Sequence, residues 1–148
     1  MRFFFYGTLL AGSDNPVARF VHEKLELVGP AMARGALHGV PDPDGWYPAL
    51  LPGEGEVHGR LYAAGESFTA ADLARLDAYE DFDPARPEAS LYLRLPVAVR
   101  GPDGAEQAAQ AYVFNRPLPD GARPIPEGDF RAWLDGQGLA QFRGLRES

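Results

Sequence analysis

The sequence predicts an α+β domain in which short strands outnumber helices, and three observations carry that expectation. Its 17 glycines and 14 prolines punctuate the chain too often for long helices. The stretch Leu91-Tyr92-Leu93-Arg94-Leu95-Pro96-Val97-Ala98-Val99-Arg100 alternates with the period of a strand. One segment alone carries a full helix-start signature, Thr69 with Asp72 three residues on, and Phe68 before it placed to staple onto Leu73. With 148 residues, 45% hydrophobic and 24% charged, the chain suits one core rather than two. No repeat or linker divides it, so residues 1–142 read as a single domain and 143–148 as a frayed tail.

Taken in order, Phe3 to Tyr6 is a continuous apolar run stopped by Gly7, the pattern of a central strand buried on both faces. Asp14-Asn15-Pro16 places a proline at the first position of a short helix that continues through Val17, Phe20, Val21 and Leu25. Between Leu27 and Leu61, three strands are expected, around Met32–Val40, Trp46–Leu51 and Val57–Tyr62, joined by tight turns. The capped helix runs from Ala70 to about Tyr79. Gly101-Pro102-Asp103-Gly104 then turns the alternating strand into a hairpin with Gln110–Asn115. Pro117 to Pro126 is expected to be irregular, and Gly128-Asp129 starts a short last helix carrying Phe130, Trp133 and Leu134.

Composition also excludes functions. A net charge of -7 repels phosphate backbones and anionic bilayers, so neither nucleic acid nor membrane is an expected partner. The chain has no cysteine, which removes disulfides, thiolate metal sites and a cysteine nucleophile. The N-terminal apolar run is shorter than the core of a signal peptide, and a cytoplasmic location is expected. His22, His38 and His58 lack metal-ligand spacing, and no metal is predicted. Gly53-Glu54-Gly55 lacks the context of a dinucleotide loop. Asp42-Pro43-Asp44-Gly45 reads as a turn, because Trp46 and Tyr47 stand where a calcium loop needs an acid and a glycine.

Two places carry chemistry. At about 100° per residue, Leu73, Leu76 and Glu80 fall within about 60° of one another, so the Glu80 carboxylate shares the apolar face of the capped helix. Burial there raises a carboxyl pKa toward the range of a general base. The competing reading ends the helix at Tyr79 and leaves Glu80 in the solvated run Glu80-Asp81-Phe82-Asp83, and Asp77 is the rival carboxylate one turn earlier. The second place is Tyr6-Gly7-Thr8-Leu9. Where a buried strand gives way at Gly7, successive amides lose their ladder partners and can converge on an anion or carbonyl oxygen, with Tyr6 and Thr8 adding hydroxyls. An ordinary strand-to-loop transition has the same appearance. Tyr92, Arg94, Tyr112 and Phe114 share one hairpin face, as pocket lining or as cross-strand packing.

Read in order, Phe5-Tyr6-Gly7-Thr8-Leu9, Trp46-Tyr47-Pro48-Ala49-Leu50, Gly59-Arg60-Leu61-Tyr62, Leu76-Asp77-Ala78-Tyr79-Glu80 and Tyr92-Leu93-Arg94 resemble the γ-glutamylcyclotransferase-like superfamily, in its γ-glutamylamine cyclotransferase or AIG2-like branch. The resemblance runs from residue 3 to about 115, and Gly128-Asp129-Phe130 also matches. It implies a small mixed β-barrel flanked by short helices, with Glu80 as acid/base and Tyr6, Gly7, Thr8 and Leu9 as the substrate-binding loop. The implied enzyme is a lyase or acyltransferase that releases 5-oxoproline and a free amine from a γ-glutamyl amine, γ-glutamyl amino acid or γ-glutamyl-protected metabolite. It requires no cofactor, and its partner is the small γ-glutamyl substrate. The expected state is a monomer or weak homodimer. The alternative is a non-catalytic small-molecule-binding protein with the same pocket. One departure stands out: Asp81 follows Glu80 where family members commonly have glycine.

Overall fold

The computed structural model of the chain describes residues 1–7 and 16–142, the side chains of residues 16 and 18 excepted. Among these residues six strands and three α-helices follow in the order β1 (Arg2–Phe5), α1 (Pro16–Lys24), β2 (Leu25–Asp42), β3 (Gly45–Ala64), α2 (Ala70–Tyr79), β4 (Tyr92–Arg100), β5 (Glu106–Phe114), β6 (Arg123–Pro124) and α3 (Phe130–Gln137), with one 3-10 turn at Pro87–Ala89. Strands pair in the order β3-β1-β5-β4-β2-β6, and β2 also pairs with β3, which closes five of them into a barrel. The barrel is mixed, because β1 runs parallel to β5 (Phe3 beside Gln110) while the other pairings are antiparallel. This is the small mixed barrel with short helices that the motif order implied.

The hydrophobic pattern explains why β1 is central. Phe3, Phe4 and Phe5 are all buried between β3 and β5. Their side chains alternate between two cores, as strand geometry requires. Phe4 joins Ala33, Val57, Leu61, Val99, Ala109 and Ala111 in a cluster fed by all five barrel strands. On the opposite faces of those strands, His58, Arg100 and Glu106 reach solvent, so the Phe4 cluster is the barrel interior. Phe3 and Phe5 point outward into a second cluster with Val21 of α1 and Leu76 and Tyr79 of α2. The two helices are pinned to each other by Lys24–Asp72 at 3.5 Å and by the Arg75 guanidinium 4.0 Å from the centre of the Phe20 ring.

Helix ends follow the sequence signals. Thr69 and Asp72 form the reciprocal capping box, with backbone-to-side-chain bonds of 3.2 and 2.9 Å. Asp129 caps α3 by accepting from the Ala132 amide at 3.0 Å. The Asp42–Gly45 segment is a turn, its Asp44 amide donating to the Asp42 carboxylate at 3.0 Å. The hairpin of β4 and β5 also forms, with β5 starting earlier than expected, at Glu106.

Two expectations need correction. The strands expected at Trp46–Leu51 and Val57–Tyr62 are one continuous strand, β3, paired with β2 along its length. Pro52-Gly53-Glu54-Gly55 makes no turn. It bulges between Leu51, opposite Ala36, and Glu56, opposite Arg34. Glycine is needed there because a Cβ on Gly53 would lie 2.9 Å from that of Ala36. Second, the proline-rich stretch 117–126 holds a short strand, β6, because Arg123 and Pro124 pair with Gly39 and His38 at the open edge of β2.

Candidate active site

The capped helix decides where Glu80 sits. α2 ends at Tyr79, as the competing reading had it, and Glu80 is the C-cap, its amide donating to the carbonyls of Leu76 (3.2 Å) and Asp77 (3.1 Å). Yet the residue is 6% exposed, not solvated. The apolar-face projection therefore gave the right environment, even though the helix stops one residue short. Asp77 and Glu80 are the buried charged residues among those described, and burying a carboxylate is unfavourable unless partners are built around it.

For Asp77 those partners come from the β4–β5 hairpin. Arg94 on β4 and Tyr112 on β5 are cross-strand neighbours facing α2. The Arg94 guanidinium donates to both Asp77 oxygens, at 2.9 and 3.4 Å, and also to Gln110 at 3.2 Å. The Tyr112 hydroxyl donates to Asp77 Oδ1 at 2.6 Å. Burial first, and then the carboxylates of Asp77 and Glu80, push the Tyr112 hydroxyl far above the ordinary tyrosine range, so it remains a protonated donor. The rival carboxylate is thus tied to the hairpin. Arg94 and Tyr112 do more than pack across strands: they supply the polar half of this face.

Asp81 resolves the departure from the expected glycine. Its φ of 54° is left-handed, and it is the one non-glycine residue with positive φ among those described. Aspartate tolerates this region better than most side chains. The Asp81 carbonyl then accepts from the Leu91 amide at 3.0 Å, which stitches the turn after Glu80 to the approach of β4. A groove of about 490 Å³ opens beside this turn, lined among others by Asp77, Asp81, Phe82 and Arg94.

Gly7 lies two residues beyond the end of β1. A Cβ there would fall 2.2 Å from Pro48 Cγ, so only glycine lets β1 and β3 approach so closely. The Pro48 carbonyl in turn accepts from the Tyr92 hydroxyl. Tyr92 packs edge-on against Phe114, and both belong to the outer cluster that holds Leu76, Tyr79 and Tyr112. Buried contacts thus run from Gly7 through Pro48 and Tyr92 to the cluster that packs on α2, while the groove beside the Glu80 turn is lined by other residues. Tyr6 turns the other way: its side chain packs with the interior cluster and its hydroxyl donates to the Tyr112 carbonyl. Thr8 and Leu9 lie outside the described residues. No group of three or more metal-ligating side chains occurs among the described residues.

The fold and these motifs have known counterparts. The family model described as Gamma-glutamyl cyclotransferase, AIG2-like, matches residues 3–132. A curated relative, the Gamma-glutamylcyclotransferase family protein YtfP of Escherichia coli K12, is 37% identical over 91 residues, which span 62% of this chain and 64% of the relative, just under two thirds of its length. The solution structure of ytfP from Escherichia coli shares 30% identity and a TM-score of 0.56, covering 93% of this chain and 99% of that one. The crystal structure of an AIG2-like protein from Mus musculus shares the fold, with a TM-score of 0.67, 23% identity and coverage of 99% and 97%. With its barrel, its motif order and a family match over residues 3–132, the chain belongs to the AIG2-like γ-glutamyl cyclotransferase family.

Proposed function

We propose that the protein is a cyclotransferase that converts a γ-glutamyl compound into 5-oxoproline and a free amine. The observation that carries this reading is the buried Glu80 carboxylate at the end of α2, in a chain of this family. The free α-amine of the substrate attacks its own γ-carbonyl carbon. A carbon–nitrogen bond forms, closing the five-membered lactam, and the bond from that carbon to the leaving nitrogen breaks. Glu80 takes the proton from the attacking amine and returns it to the departing nitrogen, so the step is balanced without a redox partner. Because both reacting groups belong to one molecule, the protein's task is to fold the substrate into a reactive conformer and to manage that proton.

In this reading Gly7, with Thr8 and Leu9 after it, holds the substrate's polar end through backbone amides, and Thr8 adds its hydroxyl; Tyr6, whose side chain packs in the barrel interior, anchors the start of the loop instead of touching substrate. The substrate is a γ-glutamyl amine, a γ-glutamyl amino acid or a γ-glutamyl-protected metabolite.

Incubation with a panel of the three substrate classes, following 5-oxoproline, tests the proposal. Wild-type protein is expected to turn over at least one class, and Glu80→Gln to lose ~100-fold to 10,000-fold in rate. Turnover that survives this substitution removes Glu80 from the reaction, and binding of 5-oxoproline without turnover of any substrate marks a pocket protein instead.

A further inference from the structure

We infer that Asp77 is a positioning residue, a clamp that fixes the turn bearing Glu80 against the β4–β5 hairpin. The inference rests on Glu80 being the acid/base. A C-cap is a poor place for such a group, since helix ends fray and the last turn shifts easily, whereas acid/base work requires a carboxylate held within about 0.5 Å of its productive position. Asp77 answers both halves of this difficulty. Its backbone carbonyl accepts from the amides of Glu80 (3.1 Å) and Phe82 (2.9 Å), the residues on either side of the left-handed Asp81. Its side chain, 4% exposed as a residue, is anchored in the sheet by Arg94 Nε at 2.9 Å and Tyr112 Oη at 2.6 Å. One residue therefore joins the end of α2 to two adjacent strands. The Leu91 amide, donating to the Asp81 carbonyl at 3.0 Å, closes the turn from its far side.

The same arrangement sets the charge around Glu80. The ionisable groups placed about the turn are Asp77, Asp81 and Asp83 on its own segment, Arg94 from β4 and Tyr112 from β5. Arg94 offsets the Asp77 charge. Substituting one partner leaves the other uncompensated, and the two substitutions act on Glu80 with opposite sign. Asp77→Asn removes an anion and leaves the Arg94 cation, which favours ionised Glu80. Arg94→Gln leaves the Asp77 anion, which favours protonated Glu80.

The test is to follow the Glu80 side-chain carboxyl ¹³C shift against pH in folded wild-type, Asp77→Asn and Arg94→Gln protein, with Glu80→Gln to assign the resonance. The Glu80 midpoint is expected to fall by about one pH unit in Asp77→Asn and to rise by a similar amount in Arg94→Gln. On a substrate that wild-type protein turns over, both variants should also lower kcat more than they raise KM. If the Glu80 midpoint stays fixed in both folded variants, or moves the same way in both, Asp77 is not coupled to Glu80 and the inference fails. Should either variant not fold, Arg94→Lys and Tyr112→Phe keep the comparison open, because the clamp predicts lower kcat with a smaller midpoint shift in each, and wild-type kcat in both overturns it. Lack of 5-oxoproline from wild-type protein sinks the cyclotransferase reading alone, since the titration is read without turnover.

Discussion

The two faces of the barrel wall differ in what they are built from. Inside, Ala33, Ala109 and Ala111 leave room for Phe4, Leu61 and Val57, and the cluster is apolar apart from the hydroxyl of Tyr6 at its rim. Outside, under α2, the same strands present Arg94 and Tyr112 to Asp77, with Glu80 at the helix end. The interior holds the fold mainly by dispersion and burial, so a loss of volume there is felt directly in stability. The outer face places charge where only hydrogen-bonded partners make charge tolerable. Stability and chemistry are thus divided between neighbouring residues on single strands, such as Ala111 and Tyr112 on β5.

That contrast can be tested by substitution. The largest effect on stability belongs to the interior: Leu61→Ala, at a fully buried position, should cost about 2–5 kcal/mol in denaturant unfolding by opening a cavity, without selectively impairing the remaining folded protein's turnover. An equal loss from a polar-face substitution of similar size would blur the division. Tyr112→Phe, which removes the bond to Asp77, should cost about 1.5–3 kcal/mol near neutral pH, the range for hydrogen bonds to charged groups.

The Tyr112 effect carries a pH signature. The folded-state pKa lies above the unfolded tyrosine value, so the contribution is fully present below about pH 10 and is lost as pH rises toward the folded value. Wild-type stability should therefore fall more steeply above about pH 10 than that of Tyr112→Phe, and parallel curves would contradict a raised folded value. The smallest change is expected at Asp81, whose φ is 54°. Asp81→Gly should stabilise by about 0.5 kcal/mol, relief of left-handed strain slightly exceeding glycine's added chain entropy. A loss of stability would show that the Asp81 side chain holds the turn.

Much of the fold was legible because it is written in local signals. Thr69 and Asp72 fixed the start of α2, Asp129 that of α3, and strict alternation fixed β4. Where local signals misled, long-range pairing overrode them. Gly53 and Gly55 look like turn residues until β2 lies alongside, when they become the close contacts of a bulge. Arg123 and Pro124 carry no strand signal, and pair because β2 offers an edge.

At the site, the sequence by itself determined the parts: a carboxylate on the apolar side of a capped helix, a strand ending at Gly7, and an order of motifs that named the family. Periodicity alone left Asp77 and Glu80 as rivals, because one turn of helix separates two chemically similar side chains and periodicity sees only direction; the motif order pointed to Glu80 without saying what surrounds either. Tertiary structure alone separated their environments. The hairpin brings Arg94 and Tyr112 to Asp77 from residues 17 and 35 positions away, and a hydrogen bond depends on distance in space, which no local pattern in the chain encodes.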